Sequence, residues 1–398
     1  MAARQSVFWK PCVSRCARHR DGTHGATLMR LVYLSPVPLS SFAQRPHHFV
    51  DWFHRRFGAE VLWIDPGPSR FPRWRDWRRF WQLRHPPLGP AWAKEAWLKH
   101  HRCLTLPLEP LRWGRRLNRF LRRADMLEID AFVDSQTWIV LGKPCDLALE
   151  LCARYPDNPS VFDVMDSMSA FGQGWASQWM ESAESQLAAR ARWILTSSTA
   201  LEGRFAQQGN KVRKVMNGLS TPPDFRAHSM AAPAGMVLGY VGLIASWFDW
   251  DAVIRLATMA PDFEVRLIGP CECAVPPNLP ANVQMLPAIA HDAVYGAMQE
   301  FSVGLIPFKV NALTEYVDPV KYYEYRAMGL PVLSSCFGEM RYRAAADGVF
   351  FINDLHSVQT LFEHLEHKTS VDEAHLFRTR HHWDARFDTV DFFPALTP

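Results

Sequence analysis

The sequence predicts an α/β architecture of two doubly wound domains, each a parallel sheet covered by helices on both faces. Three observations carry that expectation. The chain has 398 residues, more than the roughly 250–300 at which a single hydrophobic core stops growing. Strand-like and helix-like apolar patterns alternate almost throughout, as crossover units of a parallel sheet require. One break, PPDFRAHSMAAPAG at 222–235, sets three prolines among small residues and divides the alternation in two. The first domain is therefore expected at 29–225 and the second at 236–372. The segment 373–398 is expected as a C-terminal helix that crosses back onto the first domain. Residues 1–28 carry five Lys/Arg against one Asp, without an apolar central stretch, and precede Met29 and the first strand. They are expected as a disordered extension or the product of a start codon set too early, and are kept out of the fold.

In the first domain, short runs rich in Val, Ile, Leu and aromatics place strands at 31–35, 60–64, 131–134, 160–164, 193–197 and 212–216. Helical patterns occupy 44–56, 178–190 and 199–207, the last opening with a capping-box spacing from Thr199 to Glu202. An anomalous insert at 70–123 holds fifteen Lys/Arg against three acidic residues, together with six tryptophans. Trp74, Trp77 and Trp81 recur there at helical spacing, with Arg75, Arg78 and Arg79 between and around them. A basic helix with an aromatic stripe suits peripheral contact with an anionic membrane. The same pattern suits a helix that packs its tryptophans on the domain and leaves its arginines in water. Nucleic acid is not an expected partner, because the net charge is only +4 and no nucleic-acid module is recognisable.

The second domain reads as strand 236–242, helix 249–260, strands 263–269 and 283–286, helix 292–300, strand 303–308, a helix opening near 318 and the strand PVLSS. Met236–Phe248 is uncharged but includes two glycines. It falls short of the roughly 18–20 apolar residues a membrane-spanning helix needs, and reads as a buried strand with its turn. The eight cysteines are scattered without paired zinc-site spacing, so no metal site is expected and a reducing, cytoplasmic setting is.

The stretch DPVKYYEYRAMGLP, 318–331, carries the most chemistry. Asp318 is placed to cap a helix and Pro319 to open it, where a missing N–H costs nothing. Lys321 then falls in the first turn and Glu324 three residues on, on one face near the positive end of the helix dipole. Free backbone N–H groups and an ammonium suit a pyrophosphate, and a carboxylate accepts from ribose hydroxyls. An ordinary amphipathic helix with one exposed ion pair fits the same residues. The strand and loop before it, 303–317, favour the ligand: such units place helix N-termini at the carboxyl edge of a parallel sheet.

On DPVKYYEYRAMGLPVLSS (318–335), VGLIPF (303–308) and GYVGLIASWFDWDAVIRLATMAPDFEVRLIGP (239–270), the chain resembles the GT-B glycosyltransferases. The likeness is to group 1 enzymes related to glycosyltransferase family four and to bacterial exopolysaccharide glucuronosyltransferases. LVYLSPVPLSSFAQRPHHF (31–49), VFDVMDSMSAF (161–171) and NGLSTPPDF (217–225) extend it to roughly 29–390. The resemblance implies two Rossmann-like domains facing each other across a cleft, with the nucleotide-sugar donor on the second and a glycan or lipid-linked acceptor on the first. It implies a hexosyl- or glycuronosyl-transferase of surface polysaccharide synthesis, without metal or other cofactor, with UDP as the nucleotide. Lys321 would neutralise the diphosphate, Glu324 would bind ribose, Val320 would flank them, and Gly242 would let backbone approach the phosphates, although Gly242 also fits a plain tight turn.

Two departures redistribute those roles. Family members carry a glutamate eight residues before the second one, and here that donor-side position is Tyr316. They also carry a basic pair after the glycine turn, whereas 243–250 contains no Lys or Arg, so diphosphate charge falls to Lys321 and Arg45. Asp166, at the carboxyl end of the strand 160–164, is the candidate base for an acceptor hydroxyl, with Asp163 as competitor and His47 as the second choice. His47 or His48 also fits a surface position on the helix after the first strand. Rival expectations are a nucleotide-sugar epimerase or hydrolase of the same fold and a noncatalytic nucleotide- or glycan-binding subunit.

Overall fold

The computed structural model of the protein describes residues 29–68, 89–171, 174–220, 235–366 and 371–394. Trp74, Trp77 and Trp81, residues 1–28 and most of the 222–235 break lie outside the described residues. The first sheet contains β1 (Arg30–Leu34), β2 (Glu60–Ile64), β3 (Leu98–His101), β4 (Trp138–Leu141), β5 (Ser160–Val164), β6 (Trp193–Thr196) and β7 (Val212–Lys214). The second contains β8 (Val237–Val241), β9 (Glu264–Ile268), β10 (Val283–Leu286), β11 (Val303–Ile306), β12 (Val332–Ser334) and β13 (Val349–Phe351). The orders are β3-β2-β1-β4-β5-β6-β7 and β10-β9-β8-β11-β12-β13, and all pairings are parallel. Strand order reverses beside β1 in one sheet and beside β8 in the other, which opens a crevice at each carboxyl edge.

The helices around the first sheet are α1 (Arg45–Phe57), α2 (Arg112–Leu121), α3 (Arg123–Phe132), α4 (Asp146–Arg154), α5 (Trp175–Arg190) and α6 (Thr199–Arg204). Those of the second half are α7 (Trp250–Met259), α8 (Val294–Met298), α9 (Val320–Ala327), α10 (Leu355–Glu366), α11 (Val371–His381) and α12 (Trp383–Phe387). Alternate residues of each strand in the first sheet enter different cores, as a period of two dictates. Val32, Leu34, Ile139 and Phe162 meet α3 to α6, while Leu31, Tyr33, Trp63 and Val140 meet α1 and the C-terminal segment. In that segment Trp383, Phe387 and Phe393 are buried in the same core as Leu31 and Tyr33, with Phe387 edge-on to Phe49 at 5.2 Å.

Several expected elements are corrected. Residues 131–134 do not form a strand, because Phe132 ends α3 with its side chain in the core, and the fourth strand is the fully buried Trp138–Leu141 run. α6 is capped by Ser198, whose Oγ accepts from the Leu201 N–H, and not by Thr199. Helix α9 begins at Val320 with Pro319 at its cap, so Asp318 lies outside it. The C-terminal helix is two helices, broken at His382.

Candidate functional site

Loops leaving the carboxyl ends of β1, β5 and β11 converge on one open cleft of about 400 Å³ between the domains. Arg45, His48 and Asp166 line it from the first domain and Val320, Lys321 and Glu324 from the second. Five of the eight residues the sequence singles out are therefore brought together: Arg45, Asp166, Val320, Lys321 and Glu324. Gly242 lies directly beneath this group, at the turn after β8.

Lys321 projects from the first turn of α9 and holds its Nζ 5.4 Å from the centre of the Tyr240 ring. It forms no ion pair among the described residues, and burial pushes its ammonium pKa down while nearby Glu324 pulls it up. A low-dielectric ammonium of this kind gains most from an anion beside it. Arg45 is 2% exposed and pairs with Asp163, to whose Oδ1 its Nε donates at 2.9 Å. Its Nη1 donates to the Val215 carbonyl at 2.7 Å, and its Nη2 is buried without a partner among the described residues. An orphaned guanidinium N–H costs on the order of 1–3 kcal/mol, so a ligand that reaches Nη2 recovers that cost.

Asp166 follows β5 by two residues and is partly open to the cleft. Burial pushes its carboxyl up to about 7, with the Arg45 charge pulling down and the Asp318 carboxylate pushing up. A carboxylate at that value both accepts and releases a proton near neutral pH, which suits a general base. Its competitor Asp163 is consumed structurally, accepting from Arg45 and from Tyr33 Oη at 2.9 Å.

Two expected residues stand elsewhere. His47 is fully buried against Trp63, at 4.7 Å between ring centres. Its Nδ1 accepts from the Gln44 N–H and its Nε2–H donates to the Leu39 carbonyl, and burial lowers its pKa to about 4. With both nitrogens used inside the first domain, His47 has no proton to trade with the cleft. The neighbouring His48 takes the cleft position, stacked on Trp383 at 5.0 Å. Tyr316 packs on the first-domain core beneath Arg204, and its carbonyl accepts from Ser198 Oγ at 2.8 Å. It is a contact between domains and does not line the cleft.

Asp318, expected as a helix cap, instead ties the segment after β7 to the second domain. Its carboxylate accepts from the Asn217 N–H (2.9 Å), Tyr323 Oη (2.8 Å) and Arg343 Nη2 (2.7 Å). Asn217 Nδ2 donates to the Asp318 carbonyl at 2.8 Å. Tyr295, which no sequence pattern marks, also stands on the cleft wall, where its Oη donates to the Ser220 carbonyl at 3.1 Å. Tyr295 carries no local signal, since it acts through a partner distant in sequence. Away from the cleft, ligand-capable atoms of His101, Cys103 and Asp125 lie within 4.8 Å of one another, a grouping the cysteine spacing did not suggest. His101 is already paired with Asp125 (3.2 Å) and Glu128 (3.1 Å), and burial pushes the Cys103 thiol up to about 12.

No protein-family model matches the chain. It is 26% identical over 180 residues to TuaH of Bacillus subtilis (strain 168), a putative teichuronic acid biosynthesis glycosyltransferase, across 39% of this chain and only 43% of that protein. Among solved structures it is similar to sucrose-phosphate synthase from Thermosynechococcus elongatus, with a TM-score of 0.59 at 11% identity over 91% of this chain and 96% of that one. It is similar as well to Anabaena HepE in complex with UDP-glucose, with a TM-score of 0.57 at 13% identity over 91% and 97%. Two parallel α/β domains, joined by a linker, closed by a returning C-terminal segment and superposable along nearly their whole length on such enzymes, give this chain the GT-B glycosyltransferase fold.

Proposed function

We propose that the chain is a glycosyltransferase that moves a hexosyl or glycuronosyl group from a UDP-sugar to a glycan or lipid-linked acceptor of surface polysaccharide, on the cytoplasmic side. The observation that carries this reading is the convergence of two cationic residues, Lys321 and Arg45, on one cleft from opposite domains, Lys321 without an ion pair among the described residues. A nucleoside diphosphate leaving group develops charge at its phosphates, and preorganised cations in a partly water-free cleft stabilise that charge strongly. Lys321 and the first backbone N–H groups of α9 face the diphosphate in this reading, and Glu324, one turn on, accepts from ribose. No resident metal is assigned, because these groups meet the diphosphate charge themselves. Asp166 takes the acceptor hydroxyl proton as the oxygen attacks the anomeric carbon, so transfer inverts configuration. TuaH and HepE support the reading through what they act in or bind, teichuronic acid synthesis and UDP-glucose.

A panel of UDP-sugars assayed for UDP release, with and without a lipid extract as acceptor source, tests it. Acceptor-dependent release from one donor is the expected result. Release that ignores the acceptor assigns a hydrolase or epimerase, and UDP binding without release from any donor assigns a binding subunit.

A further inference from the structure

Helices α2 and α3 form one kinked rod on the outside of the first domain. Arg122 joins them with φ −92° and ψ 17°, and the backbone bonds Arg122 N–H to Asn118 and Met126 N–H to Arg122 carry the helix through the kink. The joint is pinned from beneath: the fully buried Arg122 donates to Asp146 (2.7 Å) and Glu150 (2.5 Å). Along the outer face run Trp113, Arg116, Phe120, Arg123 and Leu127. At 100° per residue these five fall within an arc of about 80°, and they extend about 21 Å at 1.5 Å per residue.

The apolar members are unusually open for their size: Trp113 is 58% exposed, Phe120 59% and Leu127 69%. Single exposed hydrophobics are ordinary, but a file of them on one helical face marks an interaction surface. The basic members are just as distinctive. Arg112, Arg116 and Arg123 are exposed and form no ion pair among the described residues, and Arg123 rests over the Phe120 ring at 4.8 Å. By contrast Arg119 and Arg154 are taken by Asp146 and Asp130. Beside the stripe lies an open groove of about 590 Å³ that Arg116 and Arg123 flank.

We infer that this stripe is the docking face for an anionic lipid bilayer. The unpaired arginines complement acidic headgroups, and Trp113, Phe120 and Leu127 are placed to enter the headgroup–acyl boundary. Charge alone would also attract a nucleic acid. An exposed Leu127 gains nothing from a phosphate backbone, whereas it gains from leaving water at a membrane surface. Another side of the same rod packs on the first domain. Arg115 lies 4.2 Å over Trp179 and donates to the Glu109 carbonyl, and Trp179 and Glu109 line a cavity at the carboxyl ends of β1 and β4. Docking through α2 and α3 therefore holds that cavity next to the bilayer, where a lipid-linked substrate would reside.

The test is co-sedimentation of the full chain with phosphatidylcholine vesicles, with and without phosphatidylglycerol, at low and high salt. Binding is expected only with phosphatidylglycerol and is expected to weaken as salt rises. Arg116→Glu with Arg123→Glu, and separately Trp113→Ser with Phe120→Ser, should each lower partitioning by about tenfold or more. These side chains are exposed, so melting temperature and UDP affinity should match the parent, which separates loss of docking from misfolding and from any fault in the transferase reading. A parent that stays in the supernatant with phosphatidylglycerol vesicles overturns the inference. So do variants that bind like the parent, or a parent that retains single-stranded DNA but ignores the vesicles.

Discussion

Lys321 Nζ occupies the space that a side chain at position 242 would need: a Cβ built on Gly242 comes 2.5 Å from that nitrogen and 2.7 Å from Lys321 Cε. Gly242 also has φ 145°, a conformation that L side chains rarely adopt. Two demands thus fall on one residue, a backbone demand from the turn after β8 and a spatial demand from the cation that reaches over it.

Gly242→Ala should therefore cost about 1–3 kcal/mol of stability through backbone strain, and in addition should displace the ammonium and weaken UDP binding. Thermal melting and calorimetry, done together, separate the two effects. A folded variant with parental UDP affinity would show that the glycine serves only the turn.

Lys321→Ala removes the cation itself and should weaken UDP by roughly 10- to 100-fold, the 1.5–3 kcal/mol of a charge-assisted contact. Because burial depresses this ammonium, a bound diphosphate should raise its pKa, so UDP binding at alkaline pH should take up protons. Calorimetry in buffers of different ionisation enthalpy reads that uptake directly. It should vanish in the Ala variant. Glu324→Ala should weaken UDP as well, and, by removing the charge that pulls the Lys321 pKa up, should enlarge the proton uptake.

Asp166 gives a prediction with two opposite signs. Its folded-state value of about 7 lies above the ordinary 3.8. The folded state therefore binds the extra proton between those values, and stability falls as pH rises through that window. Asp166→Asn should be more stable than the parent at pH 8, by about 1–3 kcal/mol after screening by cleft water, while turnover falls by roughly 10²–10⁴. Parental kcat/KM should rise through pH 7 as the carboxylate forms. A variant that turns over at the parental rate, or a product with the donor's anomeric configuration, moves the role to another group.

The cleft residues were legible where their chemistry is local. DPVKYYEY announces a helix start with a cation in its first turn, and the glycine after an apolar strand announces a turn, because caps and turns depend on near neighbours. The same logic makes Asp318 a cap, but Arg343, Tyr323 and Asn217 compete for its carboxylate and win. His47 and His48 are adjacent, and only the rotation of α1 against Trp63 decides which of them meets the cleft. Residues 131–134 failed as a strand for a related reason. An apolar run as short as Ala131, Phe132 and Val133 is compatible with either element, and Phe132 gains its burial as the last turn of α3.

The last expectation concerns the joint between the domains, which no local pattern revealed. Glu339 of the second domain accepts from the Thr199 N–H (2.7 Å) and Thr199 Oγ1 (2.9 Å) at the start of α6, a free backbone donor at the positive end of a helix. Next to it Ser198 Oγ donates to the Tyr316 carbonyl. These bonds hold the cleft walls at a fixed separation, so Lys321 and Asp166 keep their places relative to each other. Glu339→Ala leaves the Thr199 donors without their carboxylate, at a cost of about 1–3 kcal/mol. Opening of the domains restores their contact with water. The free variant should therefore show a larger radius of gyration in small-angle scattering, and UDP should bring it back toward the parental value. Turnover and UDP affinity should both fall, since in the proposed reading Lys321 and Arg45 meet the diphosphate from opposite domains and transfer needs both. Unchanged scattering together with unchanged turnover would mean that linker and C-terminal packing alone set the cleft.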